Sequence, residues 1–559
     1  MCNLLMTTKS LKRLESGGLP LICWAIKKLG LKEILDDYLP KHGNEKVAIS
    51  DSLILILYNL TIGKRPLYEL ENWCSKINPH SIGNETIDCD ILNDDRFGRA
   101  LDKLYEADRS SLMTDIVIKM VKKFELNLDR IHNDSTTAKT HGEVPGKTKD
   151  GLELKRGHSK DHRPDLKQLV FCMSIAADGA VPIHFKAYSG NVTDDKTHIE
   201  TWETIRKIKG DPNFIYVGDC KVCTNQQLNY IASNGGKVVT IIPSTWKEVE
   251  AFKSELRECK KDKIEILRKP LPSQTYNFIP EEKKKFEYYC VFPGEYKTAN
   301  GYKIHWIFSS EKKNRDEEQR EDFLIKTEAM LAELNSKLNV RKYKSKEIIS
   351  EGVNSILSTN KMERFFEINI STKEAADATE SEKAPEAFAQ PYFYLTWSRK
   401  HGVIKKEKNV DGVFPLLTTD HELKAIDVLN YYKFQPRIEK RFSQLKSFHN
   451  LMPILFKKVE RIEATMFLYF LCMMVQALIE REVRTNMVAK SINYLKIYPE
   501  EMAAFRPTTP IILENFEGIS RTLITNEYEN IEEIKDELSQ AQILTLEMLG
   551  MNSTDYWKP

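Results

Sequence analysis

Apolar residues recur at helical spacing through the first 125 or so positions. Leu19–Tyr38 carries them three and four apart, with a break at Gly30, and Ile49–Leu60 is a second such run. Asp94 and Asp95 are placed to cap a helix over FGRALDKLYEA, and Ser110 to cap one from Leu112 to Phe124. No strand pattern stands out here. From Leu128 the period shortens. LDRIHNDST, KQLVFCMSIAA (Lys167–Ala177) and AVPIHFKAY (Ala180–Tyr188) read as three successive strands, the last two joined by an Asp178-Gly179 turn. A helix over Asp194–Lys209, a strand over NFIYVGDC, a short helix over Asn225–Ser233 and a strand over Lys237–Pro243 follow. The order β-β-β-α-β-α-β is the plan of a mixed five-stranded sheet flanked by helices, not of a doubly wound parallel one.

The pattern then loses regularity. Residues 245–410 read as an inserted mixed α/β domain with strands FEYYCVF and YKIHWIFSS and an amphipathic packing helix near Asp316–Leu338. Leu324, Leu331 and Leu338 repeat in it every seven residues, and two heptads are too few for a coiled coil. Ser371–Pro391, rich in Ala, Glu and Lys, reads as an exposed linker. PYFYLTWS and DGVFPLLTTD resume the strands, and the chain is helical from Asp420 to about Leu495. The divisions expected are a helical domain at 1–125, a sheet domain split between 126–244 and 411–495, the insertion at 245–410, and a tail at 496–559 ending in a helix near Ile531–Leu549.

Composition narrows the classes. Hydrophobic residues at 41% and charged residues at 29% exclude whole-chain disorder. A formal charge of +2, from 83 Lys+Arg against 81 Asp+Glu, excludes a polycation but leaves room for one basic face. The ten cysteines are mostly isolated and no signal peptide is read, so a reducing cytoplasm is the expected location. Cys220-Lys-Val-Cys223 has no second pair at zinc spacing and reads as two ordinary thiols. The most apolar stretch, Ala464–Ile479, contains Gln476 and falls short of the ~20 residues a bilayer span needs, so a buried core helix is expected and no membrane.

Three acids carry the candidate chemistry. Asp134 ends the first strand of the sheet and Asp219 the fourth. Where those strands are neighbours, the two carboxylates meet, and they repel unless a cation lies between them. Glu439 belongs to VLNYYKFQPRIEKRFSQLKSFHN, read as a helix in which Tyr432, Glu439 and Lys446 share a face at seven-residue spacing. Basic residues exceed acidic ones by six from Tyr431 to Arg461. One acid among Arg437, Lys440 and Arg441 suits a metal site that faces phosphates. His158, Lys160, His162 and Arg163 form a polar cluster before the second strand.

These residues give the sequence a resemblance to the DDE transposases of bacterial insertion sequences with a Tyr-x2-Arg-x3-Glu-x6-Lys signature. Here the signature reads Tyr432, Gln435, Glu439, Lys446, so the Arg position departs, with Arg437 two residues on as its substitute. NDST around Asp134, GHSKDHRPDLKQL, GNVTDD and VGDC around Asp219 fall in the family's order, and LPLICWAIKKLGL and DDRFGRALDKL are similar to the helical leader of one subgroup. The resemblance implies a ribonuclease-H-like catalytic domain with Asp134, Asp219 and Glu439 as a triad for two Mg²⁺, Mn²⁺ substituting. It implies cleavage at transposon ends and joining of the 3′-OH to target DNA. The partners implied are double-stranded DNA (terminal inverted repeats and target) and a second copy of the chain in a synaptic complex. Tyr432, Arg437, Lys446, His158, Lys160 and Arg163 are the expected DNA contacts. The N-terminal helices are expected to bind transposon ends or to dimerise. Two other readings stand beside this one: a ribonuclease-H-like nuclease without strand transfer, and an inactive DNA-binding relative.

Overall fold

The computed structural model describes residues 8–41, 43, 45–84, 91–139, 147–157, 167–192, 197–270, 285–340, 342–373, 392–449, 458–526 and 531–558. Close contacts divide the chain into one unit formed by 1–239 with 431–559 and a second formed by 240–430.

The first unit opens on a strand that the apolar pattern does not announce, β1 (Thr8–Glu15). Its partner in an antiparallel pair is Ser520–Asn526, some 500 residues away, so no local signal marks it. Helices α1 (Leu19–Leu29) and α2 (Leu31–Tyr38) pivot on Gly30, whose φ of 67° suits a residue without a Cβ. They are followed by α3 (Ile49–Tyr58), α4 (Leu70–Cys74), α5 (Asp94–Glu106) and α6 (Arg109–Phe124). The caps fall earlier than the sequence suggested. Asn93 accepts from Arg96 N–H and Asp108 from Ser111 N–H, which makes Asp94 and Asp95 first-turn acids instead.

Five strands of a mixed sheet follow, in the expected order. They are β2 (Arg130–Lys139), β3 (Gln168–Ala176), β4 (Pro182–Ser189), β5 (Ile215–Val217) and β6 (Lys237–Ile241), with α7 (His198–Lys209) and α8 (Asn225–Ser233) in the two crossovers. The strand order is β4-β3-β2-β5-β6; β2, β3 and β4 are antiparallel neighbours, while β5 runs parallel to both β2 and β6. Parallel neighbours need a crossover, which is why helices appear only after β4.

The second unit holds α9 (Lys247–Glu258) and an antiparallel sheet of β7 (Ile264–Pro270), β8 (Phe286–Val291), β10 (Lys303–Ser309) and β13 (Val413–Thr418), with the short β9 (Tyr296–Lys297) added on β10. The long helix α10 (Ser310–Ser336) packs Leu324, Leu331 and Leu334 against α11 (Lys346–Thr359) and the hairpin of β11 (Phe366–Lys373) and β12 (Tyr392–Arg399), as an amphipathic packing helix should. A buried bidentate pair, Arg320 to Asp411 at 2.6 and 2.8 Å, ties α10 to the chain entering β13. Helices α12 (His401–Glu407) and α13 (Ala425–Tyr432) complete the segment. Residues 374–391 of the expected linker lie outside the described residues.

Returning to the first unit, α14 (Pro436–His449) and α15 (Val459–Ala489) cover one face of the five strands. Phe171 and Phe185 stack at 5.2 Å on that face and meet Phe442 of α14 and Phe467 and Phe470 of α15. α15 is long and apolar enough to cross a membrane, yet its apolar window is almost wholly enclosed by protein. Three of its charged residues are paired: Arg461 with Asp102 at 2.7 Å, Glu463 with Arg109 at 2.9 Å, and Glu480 with Arg441 at 2.8 Å. The tail departs from the expected single helix. β14 (Leu495–Lys496) and β15 (Ala503–Ala504) pair, α16 (Thr509–Glu514) leads to β16 (Ser520–Asn526), and β17 (Ile531–Lys535) pairs with β16 before α17 (Gln540–Met548) and α18 (Ser553–Trp557). The β16 edge captures Ile531–Lys535, and a capping box at Ser539 starts the helix afresh.

Arg441 and Glu480 are each about 5% exposed. Removal of one partner strands the other charge, so Glu480→Leu costs about 3–5 kcal/mol, whereas Arg441→Met with Glu480→Leu costs less than the single change. Urea titration followed by far-ultraviolet circular dichroism measures the difference.

Candidate active site

Strands β2 and β5 run parallel with Ile131 beside Tyr216 and His132 beside Val217. Two residues further along each chain come Asp134 and Asp219. Asp134 stands in the middle of β2 and not at its end as expected, whereas Asp219 lies two residues past the end of β5. Each is half-buried and held by its own backbone: Ser135 N–H donates to Asp134 Oδ1 at 2.7 Å, and Lys221 N–H to Asp219 Oδ1 at 3.0 Å. Below them, on the opposite face, Asn133 Oδ1 accepts from Ser174 Oγ at 2.8 Å, and His198 Nδ1 lies 3.0 Å from the Tyr216 hydroxyl. This buried polar layer fixes β2 against β3 and α7.

The third acid arrives on a broken helix. A single helix from Tyr432 through Lys446 was expected; instead α13 stops at Tyr432, the chain turns through residues 433–435, and α14 begins at Pro436. Proline disfavours helical geometry in the residue before it and cannot donate backward, so it starts helices rather than continuing them. Tyr432 therefore does not share a helical face with Glu439. Glu439 is exposed in the first turn of α14, the electropositive end of the helix.

Gln435, at the signature's Arg position, is buried in the turn. Its Nε2 donates to the Asn133 carbonyl at 2.8 Å, and its Oε1 stands 3.0 Å from His132 Nδ1, which donates to it. Phe434 packs on the His132 ring at 4.8 Å. The departure from Arg therefore replaces a charged group with an amide that clamps α14 to β2 one residue before Asp134. Burial holds the His132 imidazole down to about 3, so it stays neutral through the physiological range.

Tyr432 feels the charge of all three acids. Its hydroxyl is pushed up to about 12, by burial first and then by the negative charges of Asp219, Cys220, Glu439 and Asp134. The three carboxylates thus lie within electrostatic reach of one protonated phenol. They are oxygen donors only, the set that suits Mg²⁺ or Mn²⁺. Among the described residues no three His, Cys, Asp or Glu side chains are grouped closely enough to hold a metal ion.

The other expected contacts scatter. Arg437 lines a cavity at the β3–β4 turn with Gly179 and Ala180, and Arg441 is buried, donating to the Ala180 carbonyl at 3.1 Å. Lys446 is on α14, its side chain outside the described set; His158, Lys160, His162 and Arg163 lie outside the described residues altogether, as does the TDD of GNVTDD. Cys220 is half-buried, its thiol raised by burial and by Asp219, while Cys223 is buried. Sequence reasoning missed the supporting residues Asn133, His132 and His198. The one signal for the first was a polar residue in an inward strand position.

Residues 128–475 match the family model described as "Transposase DDE domain", and residues 10–118 match one described as "Domain of unknown function (DUF4277)". Among solved structures, the piggyBac transposase synaptic complex with hairpin DNA is similar at 8% identity and a TM-score of 0.36, covering 89% of this chain and 79% of that one. The Mos1 transposase paired-end complex with left transposon end is similar at 8% identity and a TM-score of 0.14, covering 35% of this chain and 60% of that one. No curated protein matches.

Two outcomes are expected. Gln435→Ala leaves the Asn133 carbonyl and His132 Nδ1 without their partner and destabilises by about 1–3 kcal/mol per orphaned group, read by chemical denaturation. His132 binds a proton near 6.5 when unfolded and only near 3 when folded, so the fold loses stability as pH falls from 6.5 towards 3. His132→Gln flattens that acid limb in melting temperature against pH.

Proposed function

Because the chain belongs to the family of transposases with a DDE domain, we propose that it cleaves the ends of a DNA transposon and joins the freed 3′-OH to target DNA. Asp134, Asp219 and Glu439 hold the divalent metal, Mg²⁺ with Mn²⁺ as its substitute, in two ions per site. What supports this most is the parallel pairing of β2 with β5, whose last paired residues, His132 and Val217, each precede one of the two aspartates by two positions, with the charges of both and of Glu439 acting on the Tyr432 hydroxyl. Two divalent ions held there would supply an activated oxygen nucleophile and stabilise the leaving oxygen.

The chain's own groups position the substrate. Tyr432, protonated through neutral pH, donates to a phosphate oxygen beside the carboxylates. Gln435 holds α14 in place so that Glu439 faces the pair on the sheet. Lys446, His158, Lys160 and Arg163 contact the DNA backbone, which gives register without reading sequence. The partner is double-stranded DNA. Two copies of the chain act together, since both transposon ends are cut and joined to one target.

Cleavage of a supercoiled plasmid carrying the element's ends tests the reading. With Mg²⁺ the wild type cuts at the ends, and with EDTA it does not. Glu439→Gln, Asp134→Asn and Asp219→Asn each lower the rate by more than ~100-fold, beyond the loss typical of a group outside the metal's direct ligands. Cutting that survives Glu439→Gln removes Glu439 from the triad. Nicking without joined products favours the nuclease, and end-binding without cutting favours the inactive relative.

A further inference from the structure

At the β3–β4 turn a cavity of about 370 Å³ is lined by Arg437, Arg481, Arg484 and Arg506, with Phe434 as an apolar wall. Arg481 is compensated by two 2.8 Å bonds to Asp178 and one of 2.9 Å to Glu482. Arg484 is 3.4 Å from Glu480, which Arg441 already engages at 2.8 Å, and donates Nε to the Pro507 carbonyl at 2.9 Å. Arg506 is exposed at the mouth. Among the described residues, the guanidiniums of Arg437, Arg441, Arg481, Arg484 and Arg506 gather with the carboxylates of Asp178, Glu480 and Glu482. Burial holds the Arg484 guanidinium below its usual range; Glu480 opposes this, and Arg506, Arg441 and Arg437 reinforce it. Like charges drawn into a concave site repel one another, and an anion relieves that repulsion.

We propose that this arginine-lined cavity receives a backbone phosphate of double-stranded DNA, as a second phosphate site apart from the three carboxylates. Its position fits one continuous substrate. Ile131 pairs with Ala176 just before the turn, three residues from Asp134, a distance of about 10 Å along the strand. Phe434, which walls the cavity, packs on His132, which faces the same side of β2 as Asp134. Helix α14 then serves both, Arg437 at the cavity and Glu439 at the carboxylates. Guanidinium forks match phosphate oxygens in pairs, and the Phe434 wall suits the sugar between phosphates. The inference rests on the transposase reading only in naming DNA as the source of the phosphate.

The test uses the full chain in EDTA, so that binding is separated from cleavage. Affinity for a short duplex is measured against salt concentration by fluorescence anisotropy. Arg506→Gln, on an exposed side chain, leaves the melting temperature unchanged, weakens binding evenly across duplex sequences, and lowers the slope of log K against log[salt] by about 1. Arg99→Gln, which removes the same charge from an exposed site on α5, leaves the slope as it was. An unchanged slope in both Arg506→Gln and the double variant Arg437→Gln with Arg506→Gln, while wild type binds duplex, overturns the cavity and leaves the transposase reading standing. Duplex binding unchanged but poly-glutamate binding lost in those variants assigns the cavity to an acidic protein segment and also overturns it. Failure of wild type to bind any duplex defeats the transposase reading itself.

Discussion

The parallel pairing of β2 with β5 is the constraint on which the remaining geometry depends. Parallel strands cannot be joined by a tight turn, so the chain must leave the sheet after β4, cross as α7, and return beside β2. That return sets the level at which Asp219 emerges relative to Asp134. A slip of one residue would turn every β5 side chain to the opposite face and separate the two carboxylates. Tyr216 resists such a slip, because its hydroxyl is committed to His198 on the face away from the acids.

The third acid depends on a different kind of restraint. α14 has no strand to fix it; it is held by buried polar contacts, Gln435 to β2 at one end and Arg441 to the β3–β4 turn and α15 along its length. Each bond spans a large separation in sequence and sits where water is excluded. A buried polar network of this sort is costly when incomplete and directional when satisfied, which fixes the orientation of a helix that no strand pairing holds. The aromatic cluster of Phe171, Phe185, Phe442 and Phe467 supplies the non-directional part of the same packing.

Where interactions are local, the sequence is readable. The period-2 runs before and after Asp178-Gly179, the short crossover helix at Asn225, and the apolar helix around Ala464–Ile479 all form where the pattern places them. The failures share a cause. β1 and β17 exist because β16 offers an edge to each, and β1 is 500 residues distant from it. Pro436 marks the break between α13 and α14, but the seven-residue spacing of Tyr432, Glu439 and Lys446 across it mimics one continuous helix. At the site, the acids announced themselves as polar residues following apolar ones, but neither ends a strand: Asp134 is mid-strand in β2 and Asp219 lies two residues past β5. Gln435 did not, since an amide's role is defined only by what it faces, and His132 and Asn133 lie 300 residues upstream of it.

That separation has a consequence for synthesis. The β2–β5 sheet can form once about 240 residues have left the ribosome, but Gln435 and α14 follow some 200 residues later, after the whole of the second unit. At about 5–20 residues per second, the nascent chain carries its paired aspartates for roughly 10–40 s before the helix with the third acid exists. During that interval the face later covered by α14 and α15, with Phe171 and Phe185 on it, is open apolar surface. The last-made elements close both the core and the site, so a chain interrupted anywhere upstream of α14 lacks the helix that carries Glu439 as well as the cover for that surface.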